Sequence, residues 1–115
     1  MQSRWICLGC VIVTLFAWLS VVPPVRAAEH SLETAQQIFT VQCAGCHAHG
    51  GNIVRRGKTL KQRALKRNGV DSVTAIATLI TQGKGIMSAY GDRLSPEEID
   101  LLATYVWENA QNNWR

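Results

Sequence analysis

Apolar residues recur at helical spacing in separate stretches of the chain, and no stretch alternates apolar with polar residues long enough to argue for a strand. Leu32, Ala35, Ile38 and Phe39 share one face of a helix expected over residues 32–42, with Ser31 as its N-cap. Val73, Ile76, Ala77 and Ile80 form the stripe of another, capped by Asp71 or Ser72 and ended by Gly83. The strongest start signal is Ser95-Pro96-Glu97-Glu98, with a cap residue, proline at the first helical position and a glutamate able to close a capping box. The helix it opens runs to about Ala110 and gathers Ile99, Leu102, Ala103, Val106 and Ala110 on a face expected to pack against the first helix. Between them, residues 49–57 hold Gly50, Gly51, Asn52 and Gly57, a loop composition, and a basic helix is expected over residues 58–67, stopped by Asn68-Gly69. The pattern predicts an all-α domain of about four helices.

A longer apolar run, residues 6–22, precedes these elements and follows Arg4. At 17 residues it sits near the lower limit for spanning a bilayer. The Pro23-Pro24 break and the site Val25-Arg26-Ala27 behind it favour a secretory signal over an uncleaved anchor. Cleavage is expected after Ala27, which divides the chain into a signal over residues 1–27 and a working domain over residues 28–115, with no stable membrane insertion afterwards. Cys7 and Cys10 fall inside the apolar run with no histidine behind them, and too little apolar sequence precedes Cys10 for it to anchor a lipid.

Processing changes the charge picture. Removing Arg4 and Arg26, and no acid, lowers the net charge from +4 to +2. A domain of this length buries too little of its surface to be comfortable alone, and such domains commonly carry a disulfide, a metal or a cofactor.

Cys43-Ala44-Gly45-Cys46-His47 supplies the need: in C-x-x-C-H the two thiols add across the two vinyl groups of one haem, and the adjacent imidazole binds iron from the same side. Three other readings of these residues are weaker. A thioredoxin-like pair wants a βαβ setting and has no use for His47. A structural zinc site on Cys43, Cys46, His47 and His49 lacks the second ligand set such sites draw from a separate segment. A plain disulfide is sterically tight at this spacing and leaves the domain without its cofactor. For the sixth iron position the mature chain offers Met87, His30 and His49. Met87 is best placed, in a small-residue loop about forty residues after His47, although methionine also serves as a gap filler in cores. His/Met ligation raises the reduction potential relative to harder ligands and fills both axial positions, which favours electron transfer over catalysis; no enzyme activity is expected.

Taken in order, Ile38-Phe39, Cys43 to His47, Gly51-Asn52, Lys58-Thr59-Leu60, Gly83-Lys84-Gly85, Arg93-Leu94-Ser95, Tyr105-Val106 and Trp114 resemble cytochrome c6 across the whole mature chain. The resemblance implies a class I cytochrome c fold over residues 28–115, with one haem c on Cys43 and Cys46, His47 as proximal ligand, Met87 as distal ligand and Arg93 as a docking residue. It implies a soluble carrier in the thylakoid lumen or periplasm, moving electrons from the cytochrome b6f complex to photosystem I, with a terminal oxidase as a further acceptor.

Three departures from the family pattern bear on function. Ser88 stands where the family usually has proline after the distal methionine, which lowers the rigidity of the loop and keeps a haem sensor or weak peroxidase, with an open sixth position, as a rival reading. Leu79 stands where many members place a haem-contacting glutamine, and a reduction potential below that of typical members is expected. Arg55-Arg56-Gly57 begins a cluster with Lys58, Lys61, Arg63, Lys66 and Arg67, seven like charges within 13 residues. Such a patch steers association with an acidic docking surface in a salt-dependent way, unless it is simply a solvated helix face balanced by haem propionates. Export makes nucleic acid an implausible partner.

Overall fold

The computed structural model describes residues 25–115, with side chains from Glu29 onward. The expected signal therefore lies outside the described residues except for its last three, which open the first helix. Helix α1 (Val25–Gln42), the single turn α2 (Ala44–His47), α3 (Gln62–Arg67), α4 (Val73–Gln82) and α5 (Pro96–Gln111) follow in order, with 3-10 turns at Ala48–Gly50 and Arg56–Lys58. Among the described residues the β pairing consists of one isolated bridge, between Lys84 and Met87. The all-α expectation holds, with α2 added to the four anticipated helices.

The caps chosen by local chemistry are as expected. Ser72 accepts the Ala75 N–H, and Ser95 with Glu98 forms a complete capping box with proline in the first turn. Two boundaries differ. Helix α1 starts at Val25, so Ser31 sits within it rather than at its cap, because Ala27, Ala28 and Glu29 are themselves good helix formers. Helix α3 starts at Gln62, not Lys58, because the backbone before it is taken by other partners. Asn52 Nδ2 donates to the Lys58 carbonyl at 3.0 Å, the Leu60 N–H donates to Gly50 at 2.8 Å, and the Leu60 carbonyl accepts Trp114 Nε1 at 3.1 Å.

Helix α5 is the spine of the domain. Its face of Ile99, Leu102, Ala103, Val106 and Ala110 is buried in one cluster with Phe39 of α1, Ile76 and Ile80 of α4, and Leu65 of α3. Ala103 and Ala110 are fully buried, and their lack of side-chain bulk lets neighbouring helices approach closely. Three rings lock the C-terminus to α1: Phe39 lies 5.5 Å from Tyr105 and 5.1 Å from Trp114, centroid to centroid. Trp114 also backs onto Gly50, which adopts φ +69° and where any Cβ would collide with the indole, so only glycine fits. Residues of all five helices and of the connecting loops thus line one apolar cleft.

Candidate functional site

One wall of the cleft is made where α1 ends. The Cys43 N–H still bonds to Phe39, and the Cys43 carbonyl then accepts from both Cys46 (3.1 Å) and His47 (2.9 Å), which winds α2 into one turn. That turn carries Cys46 and His47 on the same short piece of backbone as Cys43. The His47 ring is fixed by its second nitrogen, for Nδ1 lies 2.8 Å from the Gly51 carbonyl. A carbonyl can only accept, so Nδ1 holds the proton and Nε2 presents a lone pair. The loop behind it is held by Asn52, whose Oδ1 accepts the N–H groups of Val54 (2.9 Å) and Arg55 (2.7 Å).

The other wall is a tight turn after α4. Gly83 ends that helix at φ +67°, and its missing Cβ leaves room for the turn: a Cβ there would lie 2.5 Å from the Met87 carbonyl oxygen and 2.7 Å from the Ala89 nitrogen. Lys84 and Met87 exchange both backbone hydrogen bonds, at 3.0 and 3.1 Å. The chain then returns along α4, with the N–H groups of Tyr90 and Gly91 donating to Ile80 and Thr81.

Between these walls lies a cleft of about 370 Å³, within the range of cofactor sites. Cys43, Cys46, His47, Met87 and Leu79 all line it, on a floor of apolar side chains that includes Phe39, Ile76, Leu102 and Val106. Arg55 and Lys58 reach its rim, as do Val54 and Ile86, which are 54% and 71% exposed. Arg56, Lys61 and Arg93 are exposed but stand away from the cleft; Arg93 lies over the Tyr90 ring at 5.4 Å. Of the three candidate sixth ligands, Met87 alone lines the cleft, while His30 and His49 are exposed elsewhere.

The donor set fits a c-type haem. An apolar pocket lined by two thiols, one imidazole and one thioether offers the set that such a haem uses. The competing readings fail on geometry. Burial, reinforced by the neighbouring Cys46, pushes the Cys43 thiol up to about 11, whereas a dithiol redox centre needs an easily ionised cysteine. Both thiols are free, and among the described residues no three His, Cys, Asp or Glu side chains converge on a common metal position. Among the described residues no helix is long and apolar enough to cross a membrane.

Two residues important to the site were not visible as such in the sequence. Asn52 reads as a turn former, yet its side chain organises the whole His47 loop. Tyr90 lines the cleft and bonds through its hydroxyl to Gln42 at 3.0 Å. The available signal was the presence of a large aromatic in a loop otherwise built of small residues.

Residues 30–106 match the family described as cytochrome c oxidase, cbb3-type, subunit III. The chain is 48% identical over 108 residues to a cytochrome c6-like protein of Nostoc sp. (strain PCC 7120), covering 94% of this chain and 96% of the relative. It is 39% identical over 114 residues to cytochrome c6 of Synechococcus sp. (strain PCC 6312), covering 99% and 98%. The crystal structure of cytochrome c6C from Synechococcus sp. PCC 7002 superposes with a TM-score of 0.67 at 61% identity, over 69% of this chain and 96% of that one.

Proposed function

The chain belongs to the cytochrome c6 family, and from that membership we propose that it carries single electrons from the cytochrome b6f complex to photosystem I. It is a c-type cytochrome of class I fold with one covalently bound haem c. When bound, the haem supplies a one-electron iron couple. Cys43 and Cys46 would hold it through thioether bonds. His47, its Nδ1 proton committed to Gly51, offers Nε2 as the proximal ligand, and Met87 offers its sulfur as the distal one. The observation that carries this reading is the convergence of Cys43, Cys46, His47 and Met87 on one apolar cleft.

The rim supports a docking role. Exposed Val54 and Ile86 offer a dry contact at the cleft mouth, and Arg55 and Lys58, continued by Arg56 and Lys61, surround it with positive charge. Arg93 extends the positive surface on the far side. An acidic docking face on the partner complements this arrangement, and residues 1–27 would direct the protein to the thylakoid lumen or periplasm. Leu79 offers no hydrogen bond at the cleft wall, so a potential below that of glutamine-bearing relatives is expected.

Visible spectroscopy of the oxidised holoprotein tests the ligand set. A weak long-wavelength charge-transfer band marks methionine on ferric iron, and its absence would refute the Met87 assignment. Potentiometry tests the partner. Delivery to a respiratory oxidase is the second reading, favoured by the match to an oxidase-subunit family. A midpoint too low to exchange with the photosynthetic chain would remove photosystem I and leave the cytochrome intact.

A further inference from the structure

The segment carrying Cys43, Cys46 and His47 and the loop carrying Met87 face each other across the cleft, yet they are joined very sparingly. Every backbone hydrogen bond of residues 83–94 either stays within the loop or returns to α4. Among the described residues one hydrogen bond ties the loop to the opposite wall: Tyr90 Oη donates to the Gln42 carbonyl at 3.0 Å. Gln42 is the last residue of α1 and the immediate neighbour of Cys43, so this carbonyl belongs to the backbone that holds the haem-linking thiols.

Other residues of the loop add little restraint. Ser88 and Ala89 are small and exposed, and Ile86 is 71% exposed. Tyr90, by contrast, lines the cleft with its ring and packs on the core, and Arg93 covers it at 5.4 Å. Burial, opposed by the Arg93 guanidinium, raises the phenol above its ordinary pKa, so the hydroxyl stays protonated and able to donate near neutral pH.

We propose that Tyr90 is a positioning residue whose hydrogen bond to Gln42 latches the Met87 loop across the cleft and thereby holds the methionine sulfur on the iron. The proposal rests on the reading of Met87 as the distal ligand. Opening the latch frees the loop to swing on α4, and an external ligand can then compete for the sixth position. The latch governs how easily the iron exchanges its distal ligand, which separates a pure electron carrier from a ligand-binding haem protein.

Imidazole titration of the ferric holoprotein, followed by loss of the long-wavelength methionine band, measures that exchange directly. Tyr90→Phe keeps the ring and removes only the hydroxyl. It is expected to bind imidazole about two- to tenfold more tightly than the unaltered protein, the range one net hydrogen bond corresponds to. Tyr105→Phe serves as the reference, since Tyr105 lies in the aromatic cluster with Phe39 and does not line the cleft; its imidazole affinity should match the unaltered protein. Equal affinity in Tyr90→Phe and the unaltered protein would overturn the latch while leaving Met87 as ligand. An equal gain in Tyr105→Phe would also overturn it, by showing general loosening. A missing band in the unaltered protein would instead overturn the Met87 reading itself.

Discussion

The two walls of the cleft hold the two proposed iron ligands, His47 and Met87, by opposite means. On the proximal side His47 is fixed within a few residues of itself: the Cys43 carbonyl winds the turn, Gly51 orients the ring, and Asn52 binds three backbone groups of the loop behind it. On the distal side Met87 sits at a tight turn whose supports come from α4 and, across the cleft, from Tyr90. The His47 ring is oriented chiefly by neighbours in sequence, with Trp114 bracing the loop behind it from afar; the Met87 turn rests on α4 and on a bond across the cleft. On the proposed ligand set, the His47 side is therefore the fixed reference of the site, and the Met87 side is where ligand exchange would be governed.

The sharpest break of this contrast is to remove each ligand in turn. His47→Ala should abolish the low-spin spectrum and leave a poorly folded product, because the loss falls on the wall that organises the rest. Met87→Ala should lose only the long-wavelength band and lower the reduction potential, with the haem still attached and the helices intact by circular dichroism. If the two variants were equally damaged, the division into a fixed and a tunable wall would be wrong.

Trp114→Ala comes next. The indole contacts Phe39 at 5.1 Å, donates to Leu60 and fills the space beside Gly50, so its removal undermines the loop behind His47 from a distant point in the chain. Loss of a packed aromatic costs about 3 kcal/mol, to be read from chemical denaturation. Gly83→Ala attacks the other wall. A side chain at φ +67° and ψ 177°, backbone essentially reserved for glycine, costs at least about 1 kcal/mol, and a Cβ 2.5 Å from the Met87 carbonyl must displace backbone rather than a flexible tip. A total near 2 kcal/mol is expected. The methionine band should be lost at lower denaturant than helicity in Gly83→Ala, whereas the two should be lost together in Trp114→Ala.

The same contrast explains what could be read in the sequence. Cys43, Cys46 and His47 form a contiguous motif whose chemistry needs no knowledge of the fold, and Ser72 and Ser95 cap helices through groups three residues away. Met87 could be nominated by elimination and by the composition of its loop. Its supports could not, because Tyr90 reaches a carbonyl 48 positions earlier in the chain. The start of α3 failed for the same reason. Residues 58–60 have ordinary helix-compatible character, but Asn52, Gly50 and Trp114 claim their backbone, and only the assembled structure brings those partners together.

The smallest effect on the fold carries the most information about the partner. Lys61 and Lys66 lie exposed on the proximal, basic side, and Arg93 lies exposed on the distal side over Tyr90. Reversing an exposed charge in either place should change stability by less than about 0.5 kcal/mol. Association with an acidic partner is another matter, since like charges on one face steer encounter through the summed field. The pair Lys61→Glu and Lys66→Glu should slow association with photosystem I particles at low ionic strength by about tenfold, and the deficit should shrink as salt is added. Arg93→Glu, one charge beside the Met87 loop, should change the rate less if the dense basic segment of residues 55–67 leads the approach. A larger loss from Arg93→Glu would place the encounter on the distal side. The wall tuned for exchange of ligand would then also be the wall presented for exchange of electrons.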